Sequence, residues 1–327
     1  MRKWAKLFFR GGGNGNTVLL TVAAGDDYFE RWRQASLPSW RRFAERHDYQ
    51  ILALKKSLVA ADAHQGWNKF AVLGFLENEV EADADLVVLD ADQVFSPIAP
   101  ALEDFFSSQQ IGVVPELFGP DRKLLSYLRK AHLNSNYPLD SSLLASPMSF
   151  KTFSGFEEIS TLRFFSAGFF TVPPSKRAAL IDFALWGPAD PVSLLDGGGD
   201  QMPFLKFLAT QNVLELDNKW QGIWPNILAA RYSFLYARRD RKLATLALAS
   251  ALADFHCIHF STTWPEKDFW GLDLLAAWDT LYPPLRDGDL DIYDYLSSEV
   301  KPKLYGQIDR PGHFFSSSPG NPSLLVD

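Results

Sequence analysis

Asp85-Leu-Val-Val-Leu-Asp-Ala-Asp92 joins a short apolar segment to two aspartates that lie two residues apart. An apolar run of this length is typical of a strand that is buried in a parallel sheet. Side chains two residues apart on an extended chain point to the same side, so Asp90 and Asp92 can face one point. Because Mg²⁺ and Mn²⁺ prefer carboxylate ligands, the pair predicts a metal site. A solvated turn is the alternative, and the apolar strand that leads into the pair favours the metal site.

The segments before this stretch alternate between strand and helix patterns. In chain order they are a strand, a helix, a strand and a helix: Thr17–Ala24, Tyr28–His47, Gln50–Leu54 and Trp67–Val80. This alternation predicts a parallel sheet with right-handed crossovers, in which ligands bind beyond the carboxyl ends of the strands. Gly25, Asp26 and the aspartate pair all come at this edge. Gly11–Asn16 precedes a strand and has no Gly-Lys-Ser/Thr after it, so we interpret it as a spacer and not as a phosphate loop.

The rest of the chain is less regular. The predicted strands are Ile111–Pro115, Arg163–Val172 with a break at 166–168, Val213–Leu216 and Phe255–Phe260. The predicted helices are Asp121–Leu133, Ser175–Trp186, Gln201–Leu208 and Leu272–Leu281. We therefore expect one α/β domain over residues 17–300, with a mixed, mostly parallel sheet flanked by helices and a smaller C-terminal lobe. A flexible, basic N-terminus with the Gly-rich spacer (1–16) precedes this domain, and an irregular tail (301–327) follows it.

The composition and the charge disfavour several classes of protein. The chain has 327 residues and a net charge of −7, which disfavours a dedicated nucleic-acid binder. Its single cysteine, Cys257, argues for a reducing compartment and therefore for the cytoplasm. The longest apolar run, Leu243–Ala253, is shorter than the roughly 20 residues that span a bilayer. The basic and aromatic residues of Met1–Arg10 indicate either a peripheral contact with the inner membrane face or a frayed terminus.

Val87-Val-Leu-Asp-Ala-Asp-Gln-Val94 resembles the metal-binding Asp-x-Asp segment of glycosyltransferases with the GT-A fold, a Rossmann-like fold that binds nucleotide-sugar donors. Four further segments occur in the order expected for the branch that includes glycogenin and the bacterial lipopolysaccharide galactosyl- and glucosyltransferases. They are Trp67–Lys69, Phe165–Phe170, Gly199–Gln201 and Ile258–Ser261, the last of which is followed by Lys267 and Trp270. The chain departs from this branch at Ser166, where the family has Asn, and in a longer spacing between His259 and Lys267.

The resemblance implies a retaining hexosyltransferase that uses Mn²⁺ (or Mg²⁺) and a nucleoside-diphosphate sugar, with a UDP-sugar expected. The acceptor is then a glycan, a lipid-linked sugar or a protein, and the C-terminal lobe faces it. Asp90, Asp92 and His259 are implied as metal ligands, and Asp200 and Gln201 as catalytic residues. The residues implied to bind the donor are Ala23, Gly25, Asp26, Lys69, Asp90, Ala91, Ser166, Ala167, Gly168, Lys267 and Trp270.

Several of these residues have a second interpretation. His256 and His259 are three residues apart and face opposite sides of a regular strand, so only one can join the metal, and the resemblance favours His259. Asp200 could instead cap the helix that it opens. The segment Trp220–Trp224 either contacts an acceptor sugar or packs in the core. Aromatic residues make up 14% of the chain, and those in or beside the proposed donor and acceptor segments are Trp67, Phe169, Trp220, Trp224, Trp264 and Trp270.

Two other functions compete with sugar transfer. A nucleotidyltransferase also binds a nucleoside phosphate and a metal on such a sheet, but it usually has a Gly-rich basic loop after the first strand, where this chain has the acidic Ala24-Gly-Asp-Asp27. A non-catalytic protein that binds carbohydrate or nucleotide-sugar is favoured by Ser166 and by the altered spacing of Lys267.

Overall fold

The structure is a computed structural model, and it describes residues 8–13, 15–76, 80–115, 165–190, 199–223, 241–261 and 269–287. The chain divides into two compact units, Met1–Ala277 and Trp278–Asp327. The predicted helix Asp121–Leu133, the boundary at residue 300 and the tail 301–327 lie outside the described residues.

The described part of the chain alternates between strands and helices in its first half. Its strands are β1 (Phe8–Gly12), β2 (Thr17–Val22), β3 (Gln50–Leu54), β4 (Asp85–Leu89), β5 (Gln93–Phe95), β6 (Ile111–Pro115), β7 (Phe165–Val172), β8 (Val213–Glu215), β9 (Gly222–Ile223) and β10 (Cys257–His259). Its α-helices are α1 (Asp26–Ala35), α2 (Leu37–His47), α3 (Asn68–Phe75), α4 (Arg177–Trp186), α5 (Gln201–Leu208), α6 (Arg241–Ala251) and α7 (Leu274–Asp287). Among these helices, none combines the length and the apolarity that crossing a bilayer requires.

Seven strands form the large sheet, in the order β1-β3-β2-β4-β7-β6-β8. The pairs β3–β2, β2–β4 and β6–β8 are parallel, whereas β1 and β7 run antiparallel to their neighbours. Five of the seven strands therefore point the same way, and the predicted mixed, mostly parallel sheet is confirmed. The strand β4 lies in the middle of this sheet, so its carboxyl end delivers the aspartate pair to the predicted ligand edge.

The strand β5 begins directly after the aspartate pair. It belongs to a second sheet of three strands in the order β5-β10-β9. The strand β10 pairs antiparallel with β5, which places His259 opposite Gln93. The backbone N–H of Phe260 donates to the carbonyl of Asp92 over 2.9 Å. This pairing carries a histidine from late in the chain to the side of Asp92.

Aromatic side chains fill the core on both faces of the large sheet. On one face, Phe70 lies 4.9 Å from Phe183 and 5.4 Å from Phe170, measured between ring centroids, so helices α3 and α4 pack against β7. On the other side of the molecule, Phe43 of α2 stacks on Phe95 of β5 at 4.3 Å. The aromatic residues of these contacts therefore serve packing.

The interpretation of certain rings as sugar platforms is wrong for those that the structure describes. Trp67, Phe169, Trp220 and Trp270 are all at most 2% exposed. A ring without exposed surface cannot stack on a sugar, so the alternative of core packing holds for these four. Trp224 and Trp264 lie outside the described residues.

The predicted helix Tyr28–His47 is two helices, α1 and α2, which meet at Ser36. Pro38 lies in the first turn of α2, where a residue without a backbone N–H is tolerated, whereas the same residue inside a continuous helix would clash with the preceding turn. The predicted helix continued through Pro38, and the structure has two helices because of the geometry of this proline.

The strand β7 runs over Phe165–Val172, and its pairing with β6 is irregular around the predicted break at 166–168. Phe170 pairs with Val113 and Phe165 with Pro115, so the register shifts between these two pairs. The Gly168 carbonyl accepts the backbone N–H of Asp90 over 2.9 Å. Phe8–Gly12 is not a flexible spacer but the edge strand β1, which pairs antiparallel with β3. Gly12 ends this strand at φ 83°, and a Cβ there would collide with the Tyr49 carbonyl, so glycine is required.

Candidate functional site

The aspartate pair lies directly after β4 and is held by backbone hydrogen bonds on both sides. Asp90 is bonded to β7 through Gly168, and Asp92 to the residue after β10. Between them, Ala91 is buried at 2% exposure, which anchors the segment in the core. The Asp92 side chain is buried and the Asp90 side chain is 31% exposed, so one carboxylate faces the interior and the other reaches towards solvent.

His259 completes a cluster of three side chains that could hold a metal ion. Its Nε2 lies 3.2 Å from Asp92 Oδ1 and 3.5 Å from Asp90 Oδ2. One ligand atom from each of the three residues lies within 4.8 Å of the others. His256 instead packs against Trp220, with 4.8 Å between the rings, so the structure brings only His259 to the aspartates.

Lys69 joins the cluster to the predicted catalytic aspartate. Its Nζ lies 2.8 Å from Asp90 Oδ1 and 3.2 Å from Asp200 Oδ2, and it donates to the Ala167 carbonyl over 3.1 Å. Burial alone lowers the pKa of Lys69, but the charges of Asp200 and Asp90 more than reverse this effect, so its pKa lies above the ordinary value. The ammonium therefore lies between two carboxylates and one backbone carbonyl oxygen.

The charges and the donor types fit a divalent cation. Asp90, Asp92 and Asp200 carry three negative charges against the single positive charge of Lys69, which leaves two negative charges when His259 is neutral. Two carboxylates and one imidazole are ligands that Mn²⁺ accepts, and three protein ligands leave positions for the oxygens of a diphosphate. The residues present therefore fit the metal that the sequence resemblance implies.

Asp200 begins helix α5, but its side chain makes no capping hydrogen bond among the described residues. The carboxylate turns instead to Lys69, and His64 Nδ1 lies 3.8 Å from its other oxygen. The close approach of Gly66 allows this arrangement, because a Cβ at that position would overlap the Asp200 carboxylate. The alternative interpretation, in which the Asp200 side chain caps helix α5, is therefore wrong.

Gln201 binds the backbone of β7. Its Oε1 accepts the N–H of Ala167 over 3.0 Å, and its Nε2 donates to the Phe165 carbonyl. Both ends of the amide are engaged with the strand that carries Ser166 and Gly168, so Gln201 is placed to position this strand. The structure thus puts Ser166, Ala167 and Gly168 beside the cluster, as expected for the segment next to the donor.

Gly168 lies against the cluster itself. A Cβ at this position would lie 2.5 Å from His259 Cε1 and 3.0 Å from Asp90 Oδ2. No larger residue fits there without moving a ligand, which gives a physical reason for glycine at this place in β7.

The expected nucleoside end of the site lies at the carboxyl end of β2. Ala23 is fully buried and its N–H donates to the Leu54 carbonyl over 2.9 Å. Gly25 has φ 96°, which a side chain would strain. Asp26 forms a 2.7 Å ion pair with Lys55 on the surface.

The sequence did not indicate that Tyr28 lies at the site, and it indicated donor binding for Trp270, which the structure buries. Burial, and then the charges of Asp92 and Asp90, raise the pKa of Tyr28 well above its ordinary value, and its hydroxyl is hydrogen-bonded to Asp92. Trp270 donates from Nε1 to Ser36 Oγ over 2.7 Å, and its ring lies 5.3 Å from that of Tyr28. It therefore packs behind the site. The position of Tyr28 in the first turn of α1, at the ligand edge, was the available signal.

Gln93 and Gln221 are two further buried polar residues beside the cluster, of which the sequence pointed only to Gln221, as part of a possible acceptor segment. Gln93 Nε2 donates to the Gly168 carbonyl, and its Oε1 accepts from Cys257 Sγ over 3.3 Å. Gln221 lies 2.6 Å from His259 Nδ1 and 2.7 Å from Ser166 Oγ. Lys267 lies outside the described residues.

The comparisons with known proteins find structural similarity at low sequence identity. No family model and no curated protein matches the sequence. The chain is similar to a glycosyltransferase involved in the glycosylation of the major capsid of PBCV-1, with 9% identity over 79% of this chain and 98% of that one and a TM-score of 0.42. It is also similar to the galactosyltransferase LgtC in complex with donor and acceptor sugar analogs (13% identity, 84% and 100% coverage, TM-score 0.43). GlyE of Streptococcus pneumoniae TIGR4 is a third, at 12% identity and a TM-score of 0.39, with 82% of this chain and 64% of that one covered.

Proposed function

We propose that this chain is a metal-dependent glycosyltransferase that transfers a hexose from a nucleoside-diphosphate sugar, in particular a UDP-sugar, with retention of configuration. The acceptor is a glycan, a lipid-linked sugar or a protein. The observation that carries the proposal is the convergence of Asp90, Asp92 and His259 beside the Lys69–Asp200 ion pair, at the carboxyl end of the central strand β4.

The chemistry of transfer explains why these groups belong together. The bond between the anomeric carbon and the diphosphate breaks, the diphosphate leaves with the electron pair, and the acceptor hydroxyl forms the new bond and loses its proton. A divalent cation, when bound, supplies the positive charge that stabilises the leaving diphosphate. Asp90, Asp92 and His259 are the residues that hold it.

The remaining residues bind and orient. Lys69 lies within ion-pair distance of both Asp90 and Asp200, so its part is to hold these two carboxylates in fixed positions. Asp200 then binds the hydroxyls of the donor sugar. We assign the nucleoside to the edge formed by Ala23, Gly25 and Asp26, and the diphosphate contact to Lys267.

The proposal is tested by the release of UDP from a panel of UDP-sugars with and without Mn²⁺, since water can replace the acceptor in a slow hydrolysis. Thermal-shift measurements with the same ligands give an independent readout of binding. The variant Asp92→Asn is expected to abolish both effects, and Asp182→Asn, an exposed aspartate on α4, is the matched control.

The competing functions give different outcomes in the same assays. Release of pyrophosphate from a nucleoside triphosphate and a sugar phosphate would identify a nucleotidyltransferase. Stabilisation by UDP-sugar without release or transfer would identify a binding protein. If neither Mn²⁺ nor any nucleotide-sugar changes the melting temperature or yields product, the proposal is wrong.

A further inference from the structure

The side-chain amide of Gln221 lies between a proposed metal ligand and strand β7. Gln221 is 2% exposed, and its inner amide atom lies 2.6 Å from His259 Nδ1 and 2.7 Å from Ser166 Oγ. The outer amide atom is buried and has no hydrogen-bond partner among the described residues. A buried amide with one end unpaired needs a reason, because an unpaired polar atom in the interior costs free energy.

The protonation of His259 supplies this reason. Its Nε2 faces Asp90 and Asp92, so Nε2 is the nitrogen that would bind a metal. A metal-binding nitrogen carries no proton, and in a neutral imidazole the proton is then on Nδ1. Nδ1–H is a donor and requires an acceptor.

The amide of Gln221 can provide that acceptor in only one orientation. An amide NH₂ cannot accept a hydrogen bond, whereas the amide oxygen accepts two. With Oε1 as the inner atom, Gln221 accepts from His259 Nδ1–H and from the hydroxyl of Ser166 at the same time. As an oxygen, the outer atom has no hydrogen-bond partner among the described residues. The inner contacts therefore decide which atom is N and which is O, because this assignment follows from the hydrogen bonds.

The surroundings keep Gln221 in this place. It ends the 3₁₀ helix Asn218–Gln221, whose first turn is capped by Asp217 through a 2.9 Å bond to the N–H of Lys219. The next residues form β9, which pairs in parallel with β10, the strand of His259. A Cβ on Gly168 would lie 2.6 Å from the Gln221 amide, so this glycine leaves space for the contact.

We propose that Gln221 is a positioning residue that fixes the metal-binding tautomer of His259 by accepting the Nδ1 proton through Oε1, while Ser166 holds the amide in that orientation. This inference rests on the metal site of the proposed function. It assigns Gln221 a part different from the acceptor contact that the segment Trp220–Trp224 suggested, and it gives Ser166 a part that does not involve the donor sugar.

The test compares Gln221→Leu, which removes the acceptor, with Gln221→Glu, which can only accept. Titration with Mn²⁺, followed by the EPR signal of the free ion, is expected to show affinity weakened roughly 10- to 100-fold in Gln221→Leu and retained in Gln221→Glu. Long-range ¹H–¹⁵N spectra of the wild-type protein saturated with diamagnetic Mg²⁺ above neutral pH are expected to show His259 with its proton on Nδ1, the signal being assigned by its loss in His259→Gln.

Each outcome decides the inference. A wild-type His259 with its proton on Nε2 overturns it, as does Mn²⁺ affinity within twofold of wild type in Gln221→Leu. If Gln221→Leu fails to fold, loss of Mn²⁺ affinity in the folded Gln221→Glu still overturns it, and retained affinity supports it. If the wild type binds neither Mn²⁺ nor Mg²⁺, the metal site of the proposed function fails and this inference fails with it, whereas a wild type that binds metal no better than Gln221→Leu overturns this inference alone.

Discussion

Replacing Lys69 with Met removes the ammonium between Asp90 and Asp200 and keeps a side chain of similar length. Both ion pairs are short, at 2.8 and 3.2 Å. At an effective dielectric constant of about 20, these distances correspond to about 6 and about 5 kcal/mol of attraction, before the cost of removing the charges from water is subtracted. The side chains of Lys69 and Asp200 are only 10% and 9% exposed, so little of the lost interaction is replaced by solvent.

Removing one partner of a buried ion pair costs about 3–5 kcal/mol, because the other charge stays buried without a partner. Asp200 stays buried, whereas the Asp90 side chain is 31% exposed, so we expect the loss to lie within this range. For a unit of this size, the melting temperature falls by roughly 2–4 °C per kcal/mol. The expected decrease for Lys69→Met is therefore at least about 6 °C, measured by differential scanning calorimetry.

The control is Lys55→Met, which removes an ion pair of similar length on the surface. Lys55 lies 2.7 Å from Asp26, but the two side chains are 41% and 86% exposed. Such pairs contribute about 0–1 kcal/mol, so the melting temperature is expected to change by less than about 4 °C. Equal decreases in Lys69→Met and Lys55→Met would refute the reasoning, since burial would then make no difference.

Two further substitutions probe the surroundings of the cluster. In Gly168→Ala the new methyl group contacts His259 and Asp90, so we expect the protein to lose about 1–3 kcal/mol of stability. We also expect weaker binding of Mn²⁺, measured by isothermal titration calorimetry. An unchanged dissociation constant for Mn²⁺ would speak against this site. In Trp270→Phe the hydrogen bond to the buried Ser36 is lost, so we expect a lower melting temperature and an unchanged affinity for nucleotide-sugar. An unchanged melting temperature with a weaker affinity for nucleotide-sugar would instead support donor binding by this ring.

The local signals in the sequence were sufficient for several elements. The strands β3, β4 and β6 and the helix α5 have the predicted bounds. Their apolar periodicity depends only on neighbours in the chain, and so does the common direction of Asp90 and Asp92. The predictions that failed involve pairing or a chain break: β1 exists because β3 offers an edge, and Pro38 divides one predicted helix into two.

The side-chain contacts of the site could not be read from the sequence in the same way. The motif resemblance named Lys69, Asp200 and His259, but not that one ammonium joins two carboxylates or that Gln221 lies against the imidazole. Burial also decided the part of the tryptophans, because a ring at the right place in the sequence can face either the core or the solvent.

By itself, the sequence determined the alternation of strands and helices and the delivery of two aspartates to the carboxyl end of a central strand, since both depend on patterns within a few residues. Only the tertiary structure decided that β5 and β10 pair, and this pairing brings His259 within 3.2 Å of Asp92 although the two residues are far apart in the chain. The physical reason is that a metal site is made of distances between side chains. Those distances are set by sheet register and core packing, which no local pattern contains.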